Sequence, residues 1–205
     1  MLKKIAIATL VAGLSSVALA NEGGLTVKVG GSILDITGEN NLANNGVVNA
    51  SASNELNFTP SVEYRFANTP FSAEVLLATP FKHSVKGTIA GKTDEIATLK
   101  HLPPTITAKY NVDLTPRFTA YAGAGVTVFV PWDEKSKLGK IEADVAVGPA
   151  AQIGFNYKPD PAKNWGVYAD VRYADLKTDL ELNGGDIGSL DLDPIVYTLG
   201  YSFNF

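Results

Sequence analysis

The sequence predicts an all-β chain, an eight-stranded antiparallel β-barrel that spans a membrane, and three observations carry that prediction. Apolar and polar residues alternate through most of the chain after residue 24, which is the period-two signature of strands with one apolar face. Short turns alternate with long polar connections. The chain closes on "DPIVYTLGYSFNF" (193–205), where Ile195, Tyr197, Leu199, Tyr201, Phe203 and Phe205 form an apolar, aromatic column. The opposite column, Val196, Thr198, Gly200, Ser202 and Asn204, is small or polar.

Ahead of the first strand, Lys3 and Lys4 precede a mostly apolar run, Ile5–Leu19, and an Ala18-Leu19-Ala20 site. That is the pattern of a secretory signal peptide, removed on export. The run is too short and too rich in Ala, Gly and Ser for a comfortable membrane helix, which takes ~20 apolar residues. The expected organisation is therefore a cleaved signal peptide at 1–20 and one barrel at 21–205. The formal net charge is −4, and loss of Lys3 and Lys4 makes it more negative. Nucleic acid is excluded as a partner on that balance, because phosphate binding draws on clustered Lys and Arg. Cysteine is absent. An exported chain of this size needs no disulfide if a sizeable core or a membrane supports it.

The strands follow in order. Leu25–Asp35 is the first. "ELNFTPSVEYRF" (55–66) sets Leu56, Phe58, Pro60, Val62, Tyr64 and Phe66 on one face, against Asn57, Thr59, Ser61, Glu63 and Arg65. Phe71–Phe81 is the third strand and "PTITAKYNV" (104–112) the fourth. "RFTAYAGAGVTVFVPW" (117–132) places Phe118, Ala120, Ala122, Val126 and Val128 opposite Thr119, Tyr121, Gly123, Gly125 and Thr127. "DVAVGPAAQIGFNY" (144–157) and "WGVYADVRY" (165–173) repeat the alternation, and 193–205 is the eighth. "ANTP" (67–70), "DLTP" (113–116) and "PDPAKN" (159–164) are turn-forming links. The segments 37–54, 84–100, 133–143 and 179–193 are longer, polar connections. Short turns at one end and long loops at the other are the pattern of periplasmic turns and extracellular loops in an outer-membrane barrel. Tyr64, Phe66, Phe71, Tyr110, Phe118, Phe155, Tyr157, Trp165 and Phe205 flank the short turns as an interfacial girdle would, and Trp132 belongs to the outer one.

Alternation alone does not say which face looks inward. A lipocalin-like soluble barrel would turn the apolar columns into its interior. The signal peptide, the loop asymmetry, the aromatic positions and the final Phe select the membrane barrel instead. In hydrocarbon every backbone hydrogen bond must be satisfied, so strands survive there only when the last pairs with the first.

"HLPPTITAKYN" (101–111) resembles the opening of the fourth strand in the outer membrane protein W (OmpW) family. "YAGAGVTVF" (121–129), the W-x-V-x-A-x-V-R-Y pattern at 165–173 and the final DP-x-V-Y-x-L-G-Y-x-F are similar to the same family in the same order. The likeness departs at 38–54, which is polar and poor in aromatics. The resemblance implies an integral protein of the bacterial outer membrane. It also implies a narrow, partly apolar channel that helps small hydrophobic molecules past the lipopolysaccharide leaflet and releases them sideways through the wall. A terminal Phe, with Tyr201 and Phe203 before it, is similar to the assembly signal read by the barrel-assembly machinery.

The residues permit such a device. Eight strands enclose side chains or at most one small ligand, which excludes a wide aqueous pore. Lys28, Glu63, Arg65, Glu74, Lys109, Asp170 and Arg172 fall on inward columns, mostly towards the periplasmic side, and buried charges need partners; a charged lumen plug is expected. Leu34, Leu76, Ala78, Pro80, Phe129 and Val196 are inward candidates in the extracellular half, an apolar pocket above that plug. Pro80, Pro103, Pro104 and Pro149 lie at or near upper strand ends, and a proline donates nothing to a ladder. They are candidates for a lateral opening. The plainer readings are space-filling side chains and strand-end punctuation.

No cofactor or metal site is expected, and no enzyme. His83 and Ser84 are adjacent in a strand and so point to opposite faces. His101 has no serine at useful spacing. The acidic run Asp175, Asp179, Glu181, Asp186, Asp191 and Asp193 matches no calcium-loop spacing and reads as a solvated loop. The leading function is passive passage of small hydrophobic solutes, in contact with outer-membrane lipid and lipopolysaccharide. The alternative is a non-transporting surface barrel, an adhesin, receptor or structural protein.

Overall fold

The computed structural model describes residues 24–36, 40–42, 48–52, 55–77, 81–89, 92–136 and 139–205. The expected signal peptide at 1–20 lies outside the described residues, as do Ala78 and Pro80. The strands are β1 (Gly24–Ile36), β2 (Asn40–Leu42), β3 (Val48–Ala52), β4 (Glu55–Arg65), β5 (Phe71–Leu76), β6 (Phe81–Ile89), β7 (Lys92–Leu102) and β8 (Thr105–Thr115). They continue with β9 (Phe118–Ser136), β10 (Ile141–Ala143), β11 (Ala146–Tyr157), β12 (Trp165–Ala174), β13 (Lys177–Leu182), β14 (Gly185–Asp191) and β15 (Pro194–Asn204).

Eight of these close a ring: β1, β4, β5, β8, β9, β11, β12 and β15 pair antiparallel in that order, and β15 returns to β1. The closing seam runs from Thr26↔Asn204 to Ile36↔Pro194, and the Phe205 N–H donates to the Leu25 carbonyl at 2.8 Å. Among the described residues each of the eight strands is paired on both sides, so the ring has no open edge.

The apolar columns face outward. Leu199 is 69% exposed and Phe203 46%, while Thr198 and Ser202 between them are buried. Lys28, Lys109 and Glu74 are among the largest fully buried side chains. A soluble barrel would reverse both facts, because exposed apolar surface costs free energy in water and charge costs it inside. Around the short turns the outward rings meet in pairs. Phe71 and Tyr110 lie 5.4 Å apart, Phe118 and Phe155 5.2 Å, and Phe203 and Phe205 4.9 Å. Asn68 takes φ 56° in the first short turn, a left-handed conformation that asparagine tolerates.

Two expectations about the strands are corrected. Phe71–Phe81 is not one strand: β5 stops at Leu76 and β6 starts at Phe81. The long polar segments are also not simply loops. β6 pairs with β7 across 84–100, and β10, β13 and β14 form a small sheet over 141–191. β9 is 19 residues long, about 65 Å at ~3.4 Å per residue, against the ~9–11 residues a membrane strand needs. Past the apolar belt the outer face of a strand no longer meets lipid, so the outward apolar column that marks a membrane strand is lost while pairing continues; around β13 only a faint inward alternation remains.

Candidate functional site

The lumen is layered. Its lower layer gathers Lys28 from β1, Glu63 from β4, Glu74 from β5, Lys109 from β8, and Asp170 with Arg172 from β12. Lys28 Nζ lies 2.5 Å from Glu63 and 3.3 Å from Glu74; Lys109 Nζ lies 2.7 and 2.8 Å from the same two carboxylates. Arg172 Nη2 reaches Glu74 at 2.7 Å and Asp170 at 2.9 Å, and its Nε donates to Asp170 at 3.2 Å. Ser61 donates to Glu74 and Ser72 to Glu63, at 2.7 and 2.5 Å. Three cations thus face three carboxylates, so the cluster is neutral, and every carboxylate also accepts hydrogen bonds. That is the condition under which buried charge is tolerated.

Two tyrosines wall this cluster, and neither belongs to the charged set. Tyr121 donates to Asp170 at 3.2 Å and lies under Lys109, whose Nζ is 3.7 Å from the ring centre. Tyr168 is 1% exposed and faces Lys28. Its ring fits because Gly30 and Gly200 sit opposite each other on β1 and β15: a Cβ on Gly30 would come 2.5 Å from the Tyr168 hydroxyl, and one on Gly200 2.8 Å from its ring. The signal lay in the sequence, as bulky rings on otherwise polar inward columns facing glycines.

Arg65 stands apart from this cluster. It is partly exposed and pairs with Asp113, Nη2 to Oδ2 at 2.8 Å, in a polar vestibule at the short-turn end. Arg65 ends β4 one alternation below Glu63, beyond the buried layer. The vestibule is roomy, about 640 Å³, and is bordered by Glu63 at the cluster's underside.

Above the charges comes a layer of hydroxyls. Ser32 links Thr59 and Thr198 at 2.6 and 2.8 Å, Thr105 meets Thr127 at 2.6 Å, and Gln152 donates to Thr107 at 2.8 Å. Over that layer an apolar cavity opens. Leu34, Leu76, Phe129 and Val196 line it, as does Pro103. Leu176 and Leu192 line it too, from a stretch the sequence presented as an acidic connection. Their signal was faint but legible: Leu176, Thr178 and Leu180 alternate with Lys177, Asp179 and Glu181, and the first set is buried. About 50 Å³ of the cavity is open to the centre of a water molecule. One water position needs ~10–15 Å³, so the space amounts to a few such positions and is no wide aqueous path.

The prolines fall at two places. The β5–β8 ladder ends at Leu76↔Thr105, and the next described pair across this seam is Phe81↔His101. Pro103 and Pro104 occupy that interval. The Pro103 carbonyl accepts from the Thr105 hydroxyl at 3.2 Å, and the Pro104 carbonyl from Val128 N on β9 at 3.0 Å. Pro149 lies elsewhere, on β11 opposite Val126, exposed, its carbonyl accepting from Asp175 N at 3.0 Å. β9 therefore separates the two positions. The side chains of His83, Ser84, His101 and Trp132 lie outside the described residues. The acidic residues of 175–193 spread over the β13–β14 hairpin. Lys177 pairs with Asp191 and Ser189 donates to Asp179, and no group of three possible metal ligands occurs among the described residues.

An outward apolar wall closed around a charged, side-chain-filled lumen defines an integral membrane β-barrel of the small kind that stands in the bacterial outer membrane. The chain belongs to the OmpW family, whose model matches residues 19–205. Outer membrane protein W of Vibrio cholerae serotype O1 is 32% identical over 155 residues, covering 69% of this chain and 70% of the relative. That of Escherichia coli K12 is 33% identical over 150 residues, 68% of each. Among solved structures, OprG of Pseudomonas aeruginosa superposes with a TM-score of 0.77 at 22% identity, over 89% of this chain and 96% of that one. AlkL in lipid bilayers gives 0.70 at 21%, over 90% and 91%. The last two likenesses speak for the fold. The protein is integral to the bacterial outer membrane, with its short turns periplasmic and its long strands extracellular.

Proposed function

We propose that this barrel passes small hydrophobic molecules from the extracellular side into the outer membrane, passively and without a cofactor. The observation that carries the reading is the cavity: apolar, in the extracellular half, and floored by the neutral charge cluster. A solute that reaches the floor meets six ionised groups in mutual contact. Separating them for an apolar visitor would leave buried charge unpaired, which costs about 3–5 kcal/mol per broken pair. The way down is closed, and the way out is sideways.

The seam at Pro103 and Pro104 supports that exit. Pro103 is in the cavity wall, and neither proline can donate a backbone hydrogen bond to a neighbouring strand. Pro80 belongs to the same proposed opening by its place in the chain, and Pro149 to a second weak point across β9. The outward Tyr201, Phe203 and Phe205 are the surface proposed to be read by the barrel-assembly machinery, and lipid and lipopolysaccharide surround the wall.

The test is uptake of an apolar fluorescent probe by cells carrying the wild type, the double variant Pro103→Val/Pro104→Val, or no copy of this chain. Val restores both donors, and uptake is expected to fall several-fold in a variant that still folds. Unchanged uptake removes the lateral exit. Wild-type uptake no faster than in cells lacking the chain removes transport altogether and leaves a surface barrel.

A further inference from the structure

The cavity is apolar around its sides, but its floor contains two unmet polar groups. Gln152 on β11 and Arg172 on β12 stand directly opposite each other in the ladder, and both line the cavity. Gln152 is 2% exposed and Arg172 6%. The Gln152 amide spends one end on Thr107, and its Oε1 has no partner among the described residues. Arg172 spends Nε and Nη2 on Asp170 and Glu74, and its Nη1 has none. The other hydroxyls of the floor are engaged: Thr59 with Ser32 and the Gly30 carbonyl, Thr127 with Thr105 and the Pro104 carbonyl. Buried polar groups without partners are rare, and each carries the cost of its lost water.

We infer that the cavity takes a neutral amphiphile bearing a hydroxyl, with the hydroxyl seated between Gln152 and Arg172 and the hydrocarbon among Leu34, Leu76, Phe129 and Leu176. The inference rests on the proposed passage of apolar solutes and narrows its substrate class. A hydroxyl accepts from Arg172 Nη1 while donating to Gln152 Oε1. With the amide turned over, the hydroxyl accepts from both the amide N–H and Arg172 Nη1 on its two lone pairs, so the polar seat remains. An alkane leaves both groups unmet. A carboxylate satisfies Arg172 but adds a negative charge to a cluster in which three cations already balance three carboxylates, in a place with little water to spread it. An ammonium meets the guanidinium edge with like charge. The ordering is therefore alcohol above alkane and above carboxylate of the same chain length.

The experiment uses the full barrel in lipid nanodiscs, with 1-hexanol, hexane and hexanoate as probes and the methyl signals of Leu34, Leu76 and Leu176 as reporters. Affinities are referred to probe concentration in the same discs, so that partition into lipid cancels between variants. Hexanol is expected to bind about tenfold more tightly than hexane, the worth of one hydrogen bond to a charged donor. Hexanoate is expected to bind no better than hexane. Gln152→Leu should narrow the hexanol advantage over hexane several-fold. If that variant does not fold, as judged by its mobility on unheated gels, Gln152→Met replaces it. In the wild type, through-space contacts from the carbinol protons to the Gln152 amide are expected. Equal binding of hexanol and hexane, tighter binding of hexanoate, or contacts to Gln152 from the methyl end overturns the inference and leaves hydrophobic passage standing. No saturable binding of any probe overturns both.

Discussion

The two halves of the lumen handle the same narrow space in opposite ways. Below, the strands contribute ions and hydroxyls that consume one another: Glu74 alone meets Lys28, Lys109, Arg172 and Ser61. Above, the side chains of Leu34, Leu76 and Leu176 have no directional bonds to make and border a gap. Buried polar groups hold each other at fixed geometry because any displacement leaves one unmet. Apolar side chains lose only contact area when they shift. The difference teaches which half of the lumen is held by directional bonds. The periplasmic half is, and the side chains of the extracellular half are held by apolar contact alone.

The sharpest way to break the comparison is to open the floor. Glu74→Leu leaves three buried cations to share two carboxylates, Glu63 and Asp170, and is expected to cost about 3–5 kcal/mol, read from the urea midpoint of refolded barrel in vesicles. A loss below about 1 kcal/mol would mean that water reaches the cluster. Next comes a charge in the soft half: Leu176→Asp is expected to lower apolar-probe uptake tenfold or more, because a carboxylate there has no partner and brings water with it. Uptake equal to wild type would place the solute's path elsewhere. Tyr121→Phe removes one hydrogen bond to Asp170 while keeping the ring under Lys109, with an expected loss of about 1 kcal/mol in the same unfolding experiment. The smallest effect is expected at the vestibule. Arg65→Ala breaks a solvent-exposed pair and should cost less than about 1 kcal/mol, with the difference from wild type shrinking further in high salt. A loss as large as that of Glu74→Leu would join Arg65 to the floor after all.

Some of this was legible in the residues alone. Glu63, Glu74, Lys109, Asp170 and Arg172 could be placed on inward columns because a period of two fixes side-chain direction once the outer face is known. Leu34 and Phe129 followed by the same rule. Leu176 and Leu192 did not, since the acidic residues between them masked a short strand in what looked like a loop. Tyr121 and Tyr168 sat in plain view, but only the glycines opposite them explain why such rings fit. Arg65 obeyed the alternation and still left the cluster, because alternation says which way a side chain points and not how deep it stands.

By itself, then, the sequence determined the membrane strands through local periodicity, their outward face through the leader pattern, the loop asymmetry and the aromatic positions, and the closure of last strand on first through a solvent that tolerates no unpaired backbone. Only the tertiary structure decided the register between strands. Register sets which inward residues share a level, and so which charges meet, where the apolar gap opens, and that Gln152 and Arg172 face each other across its floor.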